Sequence, residues 1–344
     1  MIKSPIIWGF TNWLIPSLTL LLWYILAQPN PFYTFGVNDL AIFGTGVYAY
    51  YVLCLHKNDA ALMTRRLVTH NVTTNALLFL STLSIILAGF EGYARSKVVI
   101  SDSFSGSAIQ STWYQGYWTP INSLDMRDVE PNDSRLTNVL IVGDSFVSCY
   151  GIEQHSDTIG RQLQQRLGDQ YGVNIAAYPG WDTVTEMEAL GTYPVRPDIV
   201  VWSHLPNDIA WQWDRSQQQV DWLRWLLGRT YLTEFALHRF GLLSQPPERA
   251  VQQNDSAIAN HFALLDGVIA WCESNDVQLI FVVWSEAGVE AFTDQSYDYF
   301  VATGHWVVDA RDLIGVEYWA SPLDAHPNER AIEVLSYRIE EVIE

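Results

Sequence analysis

The sequence is poor in positive charge. Its 344 residues contain 19 Lys and Arg against 38 Asp and Glu, which gives a formal net charge of −19. A protein that binds DNA or RNA needs cations to neutralise phosphates, and no basic face is expected from this balance. The composition therefore predicts that nucleic acid is not a partner.

Cysteine is also scarce. The three cysteines, Cys54, Cys149 and Cys272, form no C-x-x-C pair and no Cys/His spacing typical of zinc ligands. Gly44 and Gly46 are not followed by the Gly-Lys-Ser/Thr of a phosphate loop. We therefore expect no disulfide framework, no bound metal and no nucleotide cofactor.

The charge is unevenly distributed along the chain. Residues 1–98 carry six cations and three anions, a net charge of +3, whereas residues 99–344 carry 13 cations and 35 anions, a net charge of −22. The first part consists mainly of long apolar runs, which are typical of membrane segments. We predict a membrane region at 1–95, a connecting segment at 96–137, and a soluble domain at 138–344 that is large enough to bury its own core.

Three apolar segments form the predicted membrane region. Residues 6–27 and 72–90 are long enough to cross a hydrocarbon core that needs about 20 residues. The middle segment, residues 40–55, is marginal, because its helix would reach only about 24 Å. We expect about three transmembrane helices in a lipid bilayer.

The loop cations indicate the orientation. Lys57, Arg65 and Arg66 follow the middle segment, and cations favour the cytoplasmic side. With three spans, the acidic domain emerges outside the cytoplasm, although Arg95 and Lys97 then lie on the unfavoured side. With two spans, the domain would be cytoplasmic.

The soluble part alternates short apolar runs with helical patterns. This alternation is typical of a parallel sheet with crossover helices, so we predict a three-layer α/β/α domain with five parallel strands. A Trp-rich insertion at about 209–250 interrupts the alternation and could be a membrane-resting lid or a local core. The candidate strands are residues 139–142, 173–176, 199–202, 279–283 and 306–308, and the last helix is marked by Ile332, Leu335, Ile339 and Val342.

Polar and glycine residues follow the predicted strands. Ser145 follows the first strand, Gly180 the second and Asn207 the third, while Asp324 and His326 precede the last helix. The carboxyl ends of parallel strands meet at one edge of a sheet, so these residues are expected to converge. A hydroxyl, an imidazole, a carboxylate and several N–H donors are the groups that acyl transfer requires.

These blocks resemble those of the SGNH hydrolase family, also called GDSL-like esterases, in which four short blocks supply Ser, Gly, Asn and His. Gly143-Asp144-Ser145-Phe146, followed by Gly151-Ile152, matches the family's G-D-S-F…G-V form. The resemblance covers about residues 138–344 and implies a flavodoxin-like sheet. Residues 122–128 look like the N-S-x-G-F-R-D stretch of membrane-linked members, with Asp125 in place of the Gly.

The resemblance implies a role for each residue. Ser145 would be the nucleophile, His326 its base and Asp324 the acid that orients the imidazole. The backbone N–H groups of Ser145 and Gly180 and the amide of Asn207 would form the oxyanion hole.

Two departures from the family pattern concern the acid and the third block. The family's acid usually lies three residues before the His, whereas Asp324 lies two before His326 and position 323 is Leu. In the third block, Leu205 replaces a Gly.

The sequence thus leads to the hypothesis of a membrane-anchored serine esterase that acts outside the cytoplasm. Its substrate would be a lipid or an O-acylated glycan, cleaved through a covalent acyl-enzyme. Two alternatives stay open. One is an O-acyltransferase that modifies a cell-envelope glycan with the same residues. The other is a non-catalytic glycan-binding or assembly subunit, which the displaced Asp324 would support.

Overall fold

The computed structural model describes residues 90, 108–133, 137–206, 255–285, 290–321 and 324–344. The predicted membrane segments up to residue 89, Asn207 and the predicted insertion at 209–250 lie outside these residues. Within the described ranges, no helix is both long and apolar enough to cross a membrane. From Trp113 onward, the described residues belong to one compact unit.

A five-stranded parallel sheet forms the centre of this unit, which confirms the prediction from the sequence. The order is β2-β1-β3-β4-β5, the doubly wound order of flavodoxin-like sheets. Each observed strand contains the apolar run that was predicted for it. The strands are β1 Thr137–Gly143, β2 Tyr171–Ala177, β3 Ile199–His204, β4 Gln278–Val283 and β5 Trp306–Asp309.

Helices and a small hairpin complete the described structure. The helices are α1 Ala108–Tyr117, α2 Ile159–Leu167, α3 Thr183–Thr192, α4 Asp255–Ser274, α5 Glu290–Thr303 and α6 Glu329–Ile343, with short 3-10 turns at His155–Asp157 and Val316–Tyr318. Strands β6 Trp319–Ser321 and β7 Asp324–Pro327 pair antiparallel. The predicted last helix is therefore confirmed as α6, and it begins after Asn328, whose side chain accepts a hydrogen bond from Ala331 N.

Two hydrophobic cores lie on opposite faces of the sheet. In β1, Val139 and Ile141 belong to one core, while Leu140 and Val142 belong to the other. Helices α2 and α6 close the first core, and α3, α4 and α5 close the second. Because the central strands are buried on both faces, they appear in the sequence as continuous apolar runs.

Two buried charged residues fasten the segment before β1, Asp128 to strand β2 and Arg127 to the loop that follows β1. Asp128 accepts hydrogen bonds from Ile175 N at 2.8 Å and Asn174 Nδ2 at 3.0 Å, and it pairs with Arg161 at 3.0 Å. The guanidinium of Arg127 donates to the carbonyl oxygens of Cys149 and Glu153.

An aromatic cluster lies against Arg127. Trp113 and Trp118 are buried with Tyr150, and the Arg127 guanidinium lies 5.4 Å from the Trp113 ring centroid. These aromatic side chains therefore pack on the domain that contains the sheet.

Candidate active site

Ser145 lies in a tight turn at the carboxyl end of β1. The turn is closed by hydrogen bonds from Ser148 N to Asp144 O at 3.0 Å and from Tyr150 N to Ser145 O at 2.9 Å. Gly143 permits this path, since a Cβ there would lie 2.5 Å from Cγ2 of Val147. The turn leaves Ser145 only 8% exposed.

Asp144 shapes the same turn. Its Oδ1 accepts a hydrogen bond from Phe146 N at 3.0 Å, which is the pattern of an Asx turn. The Ser145 hydroxyl lies 3.4 Å from Asp144 Oδ2, longer than a strong O–H···O bond. Burial raises the pKa of the Asp144 carboxyl, and the Phe146 N–H and His326 oppose that shift. Asp144 is therefore a turn residue whose charge is influenced by the imidazole of His326.

His326 and Asp324 form a close pair on β7. The imidazole Nδ1 lies 2.7 Å from Asp324 Oδ1, which also accepts a hydrogen bond from the backbone N of His326 at 3.1 Å. The Asp324 side chain is 2% exposed and that of His326 is 14% exposed. A carboxylate acceptor at Nδ1 favours the tautomer with its proton on Nδ1, so the lone pair of the ring is on Nε2.

The strand conformation explains why an acid two residues before the histidine can reach it. In a β-strand, residues i and i+2 point to the same face. Asp324 and His326 therefore share a face of β7, whereas Ala325 between them is exposed.

The aromatic residues that follow Ser145 hold His326 near it. The imidazole centroid lies 5.6 Å from the Phe146 ring and 5.0 Å from the Tyr150 ring. The Tyr150 contact is edge-to-face at 78°. The structure therefore brings the Asp324–His326 pair to the turn that carries Ser145.

Gly180 lies in the turn after β2. Its φ is +79°, and Trp181 N donates to Tyr178 O at 3.2 Å across the turn. Pro at the second position and Gly with positive φ at the third match a type II turn, so the turn itself requires this Gly. Because β1 and β2 are parallel neighbours, with Gly143 opposite Ala177, Gly180 follows the strand beside Ser145.

The structure does not describe Asn207, and two residues that precede it, His204 and Leu205, lie in the core. Asn207 lies outside the described residues, so its place in an oxyanion hole stays a prediction. Leu205 is buried. His204 is fully buried, 5.1 Å from His261 and 5.3 Å from Phe300 between ring centroids. Burial lowers its pKa well below the usual value, so the ring is held neutral within the core.

Sequence reasoning did not identify Tyr150 as part of the site. Tyr150 joins Ser145 and His326, through its backbone N–H to the first and its ring to the second. The sequence shows that Tyr150 is an aromatic residue five positions after Ser145. Its contact with His326 joins residues that are far apart in sequence, so no local or periodic pattern predicts it. Over the described ranges, no group of three or more His, Cys, Asp or Glu side chains is placed to hold a metal ion.

No family model and no curated protein matches the chain. Several solved structures are similar to it. A lipolytic protein of the G-D-S-L family from Desulfitobacterium hafniense is 13% identical, with 60% of this chain and 99% of that chain covered and a TM-score of 0.40.

Two further similar structures bear related names. A GDSL-like lipase from Bacteroides thetaiotaomicron is 10% identical, with 62% and 90% coverage and a TM-score of 0.39. A carbohydrate acetylesterase family member from Sinorhizobium meliloti is 13% identical, with 60% and 97% coverage and a TM-score of 0.37. At these TM-scores the likeness assigns no reaction to this chain, and its function has to be inferred from its own side chains.

Proposed function

We propose that this protein is a serine esterase in which Ser145 is the nucleophile. The observation that carries the proposal is the Asp324–His326 pair, 2.7 Å apart, at the turn that carries Ser145. A buried carboxylate on Nδ1 leaves Nε2 as a proton acceptor. A hydroxyl next to such a base is the arrangement that activates a serine.

The reaction begins when Nε2 of His326 accepts the proton of the Ser145 hydroxyl while Oγ attacks the ester carbonyl. The oxyanion that forms accepts hydrogen bonds from the backbone N–H groups of Ser145 and Gly180 and from the side-chain amide of Asn207. The tetrahedral intermediate then expels the alcohol, which takes the proton from His326. This step leaves an acyl group on Ser145.

The second half-reaction reverses these proton movements. A water molecule gives a proton to His326 Nε2 and attacks the acyl carbonyl, and the acid is released as Ser145 takes its proton back. Asp324 stabilises the imidazolium in both halves. If a sugar hydroxyl replaced the water, the same residues would perform acyl transfer.

The 2.7 Å contact also bears on the alternative of a non-catalytic subunit. The support for that alternative was the unusual position of Asp324, two residues before the histidine. In the structure this spacing lets the carboxylate reach Nδ1. The unusual spacing therefore gives no reason to assign a non-catalytic role.

The proposal includes a membrane anchor and a catalytic domain outside the cytoplasm. It is supported by the apolar segments at 6–27, 40–55 and 72–90 and by the cations between the second and third. Protease added to intact spheroplasts should digest the domain. Digestion only after lysis would place the domain in the cytoplasm.

Hydrolysis of 4-nitrophenyl esters by the detergent-solubilised full chain tests the reaction. Ser145→Ala should abolish turnover, because no other group then accepts the acyl chain. Ser156→Ala is the matched control, since Ser156 is an exposed serine eleven residues further on and should keep full activity. Hydrolysis retained by Ser145→Ala would refute the assignment.

A further inference from the structure

Two partly exposed aromatic rings flank Gly180. Tyr178 is 36% exposed, and Trp181 is intermediate between buried and exposed. Their ring centroids lie 6.3 Å apart, with 31° between the ring planes. Trp181 packs in part against the second hydrophobic core, and both rings keep part of their surface accessible to solvent.

The Tyr178 ring is held in place from behind. Trp118, which is buried, packs against it edge-on at 5.5 Å and 76°. The side chain of Tyr114 also interacts with that of Tyr178. A ring that is already ordered loses little conformational entropy when a ligand stacks on it.

Trp181 is held by the start of α3. The next residue, Asp182, is buried and accepts hydrogen bonds from both N and Oγ1 of Thr185. This cap fixes the backbone on which Trp181 is carried. Both rings therefore belong to a rigid turn rather than to a free loop.

The pair lies one strand away from the nucleophile. Gly143 is opposite Ala177 in the parallel ladder, so Tyr178 and Asp144 are the next residues on their respective strands. Neighbouring strands are about 4.8 Å apart. If the substrate carbonyl lies at Ser145 and its oxyanion at Gly180, the alcohol part of the ester would lie over the Tyr178 and Trp181 rings.

The electrostatics favour a neutral ligand. Residues 99–344 carry a net charge of −22, which repels an anionic headgroup. Among the residues that the structure describes between 113 and 206, four arginines are each paired already: Arg127 with backbone carbonyls, Arg161 with Asp128, Arg166 with Glu340, and Arg196 with the Asn275 carbonyl. The negative net charge of the domain would therefore repel a phosphate, and these guanidinium groups are already paired.

We propose that Tyr178 and Trp181 form a platform for a neutral pyranose ring, so that the ester cleaved at Ser145 belongs to an O-acylated neutral glycan. The inference rests on the proposed esterase function and specifies its alcohol part. The faces of aromatic rings are electron-rich and attract the C–H groups of a sugar face, while the Tyr178 hydroxyl can bond to a sugar hydroxyl. An anionic lipid is disfavoured by the charge.

The first test compares two substrates of the full chain, an acetylated xylo-oligosaccharide and 4-nitrophenyl acetate, which has no sugar. For Tyr178→Ala and Trp181→Ala, the ratio of kcat/KM on the oligosaccharide to that on 4-nitrophenyl acetate should fall about tenfold, a typical loss for one stacking ring. Controls are Trp306→Ala and Tyr337→Ala, which remove exposed aromatic residues from β5 and α6. An unchanged ratio would overturn the platform, as would a selective loss on 4-nitrophenyl dodecanoate, which has a long acyl chain.

The second test separates the platform from the reaction. In the Ser145→Ala background, binding of the unacylated neutral xylo-oligosaccharide is measured by calorimetry, with and without Trp181→Ala. The platform predicts binding that Trp181→Ala weakens about tenfold, even if the protein hydrolyses no ester. Absence of glycan binding would overturn the platform and leave the esterase proposal intact.

Discussion

The Nδ1 atom of His326 lies 2.7 Å from Oδ1 of Asp324, two residues earlier on the same strand. The contact exists because both side chains project from one face of β7. In the proposed reaction, Asp324 is the carboxylate that orients the imidazole, with a spacing one residue shorter than the SGNH family usually shows.

This geometry makes the charge of Asp324 important for turnover. Asp324→Asn should lower kcat by about 10⁴-fold, because an amide can hold the imidazole in the wrong tautomer. Steady-state kinetics on 4-nitrophenyl acetate measure the effect. Asp312→Asn is the control, since Asp312 is an exposed partner of Arg338. A loss below tenfold would mean that Asp324 does not orient the base.

Tyr150 is expected to position His326. Tyr150→Phe keeps the edge-to-face contact at 5.0 Å and should retain most activity. Tyr150→Ala removes the ring and should lower kcat about tenfold with little change in KM, because a small displacement of the base affects the transition state. If both variants reduced kcat equally, the hydroxyl rather than the ring contact would be the important group.

The stability of the domain should fall as the pH is lowered from 7 to 5. Burial lowers the pKa of His261 to about 4 and that of His204 well below 6.5. Below pH 6.5 the unfolded chain binds protons that the folded core excludes, so stability is lost by up to about 1.4 kcal/mol per pH unit for each group.

Urea unfolding at pH 7 and pH 5 measures this loss. Replacing one imidazole, as in His261→Phe, should reduce the difference between the two pH values. If the wild type had equal stability at both, the buried imidazoles would not be coupled to folding.

Asp128 should be important for stability. It is 1% exposed and pairs with Arg161, so Asp128→Ala leaves a partly buried cation and two N–H donors without this partner. The expected cost is about 3 kcal/mol. Asp294→Ala, which breaks an exposed pair with Arg311, should cost less than about 1 kcal/mol. Denaturant unfolding compares the two, and similar losses would contradict a structural role for Asp128.

The sheet could be predicted from the sequence because its central strands are buried on both faces, which produces apolar runs such as residues 139–142. Ser145 and Gly180 were identifiable for the same reason, since each follows a clear strand. Residues 324–327 precede the final helix, as expected, but the sequence did not predict that they form β7. That strand is only four residues long and pairs with β6, which apolar periodicity does not reveal.

Long-range contacts were beyond sequence reasoning. The Tyr150–His326 contact joins residues that are far apart in the chain, and no local pattern encodes it. Residues 122–128 were assigned to a connecting segment, and the buried bonds of Asp128 to β2 depend on the assembled sheet. The residue types in that stretch indicated a family resemblance without indicating what they contact.

If the proposed reaction is right, Ser145 is an activated nucleophile. The most direct measurement is labelling of the full chain with a fluorophosphonate, followed by mass spectrometry of the modified peptide. We expect one adduct, on Ser145, which His326→Ala strongly reduces and Ser156→Ala does not affect. No labelling of the folded protein, or an adduct on another residue with Ser145 unmodified, would contradict it.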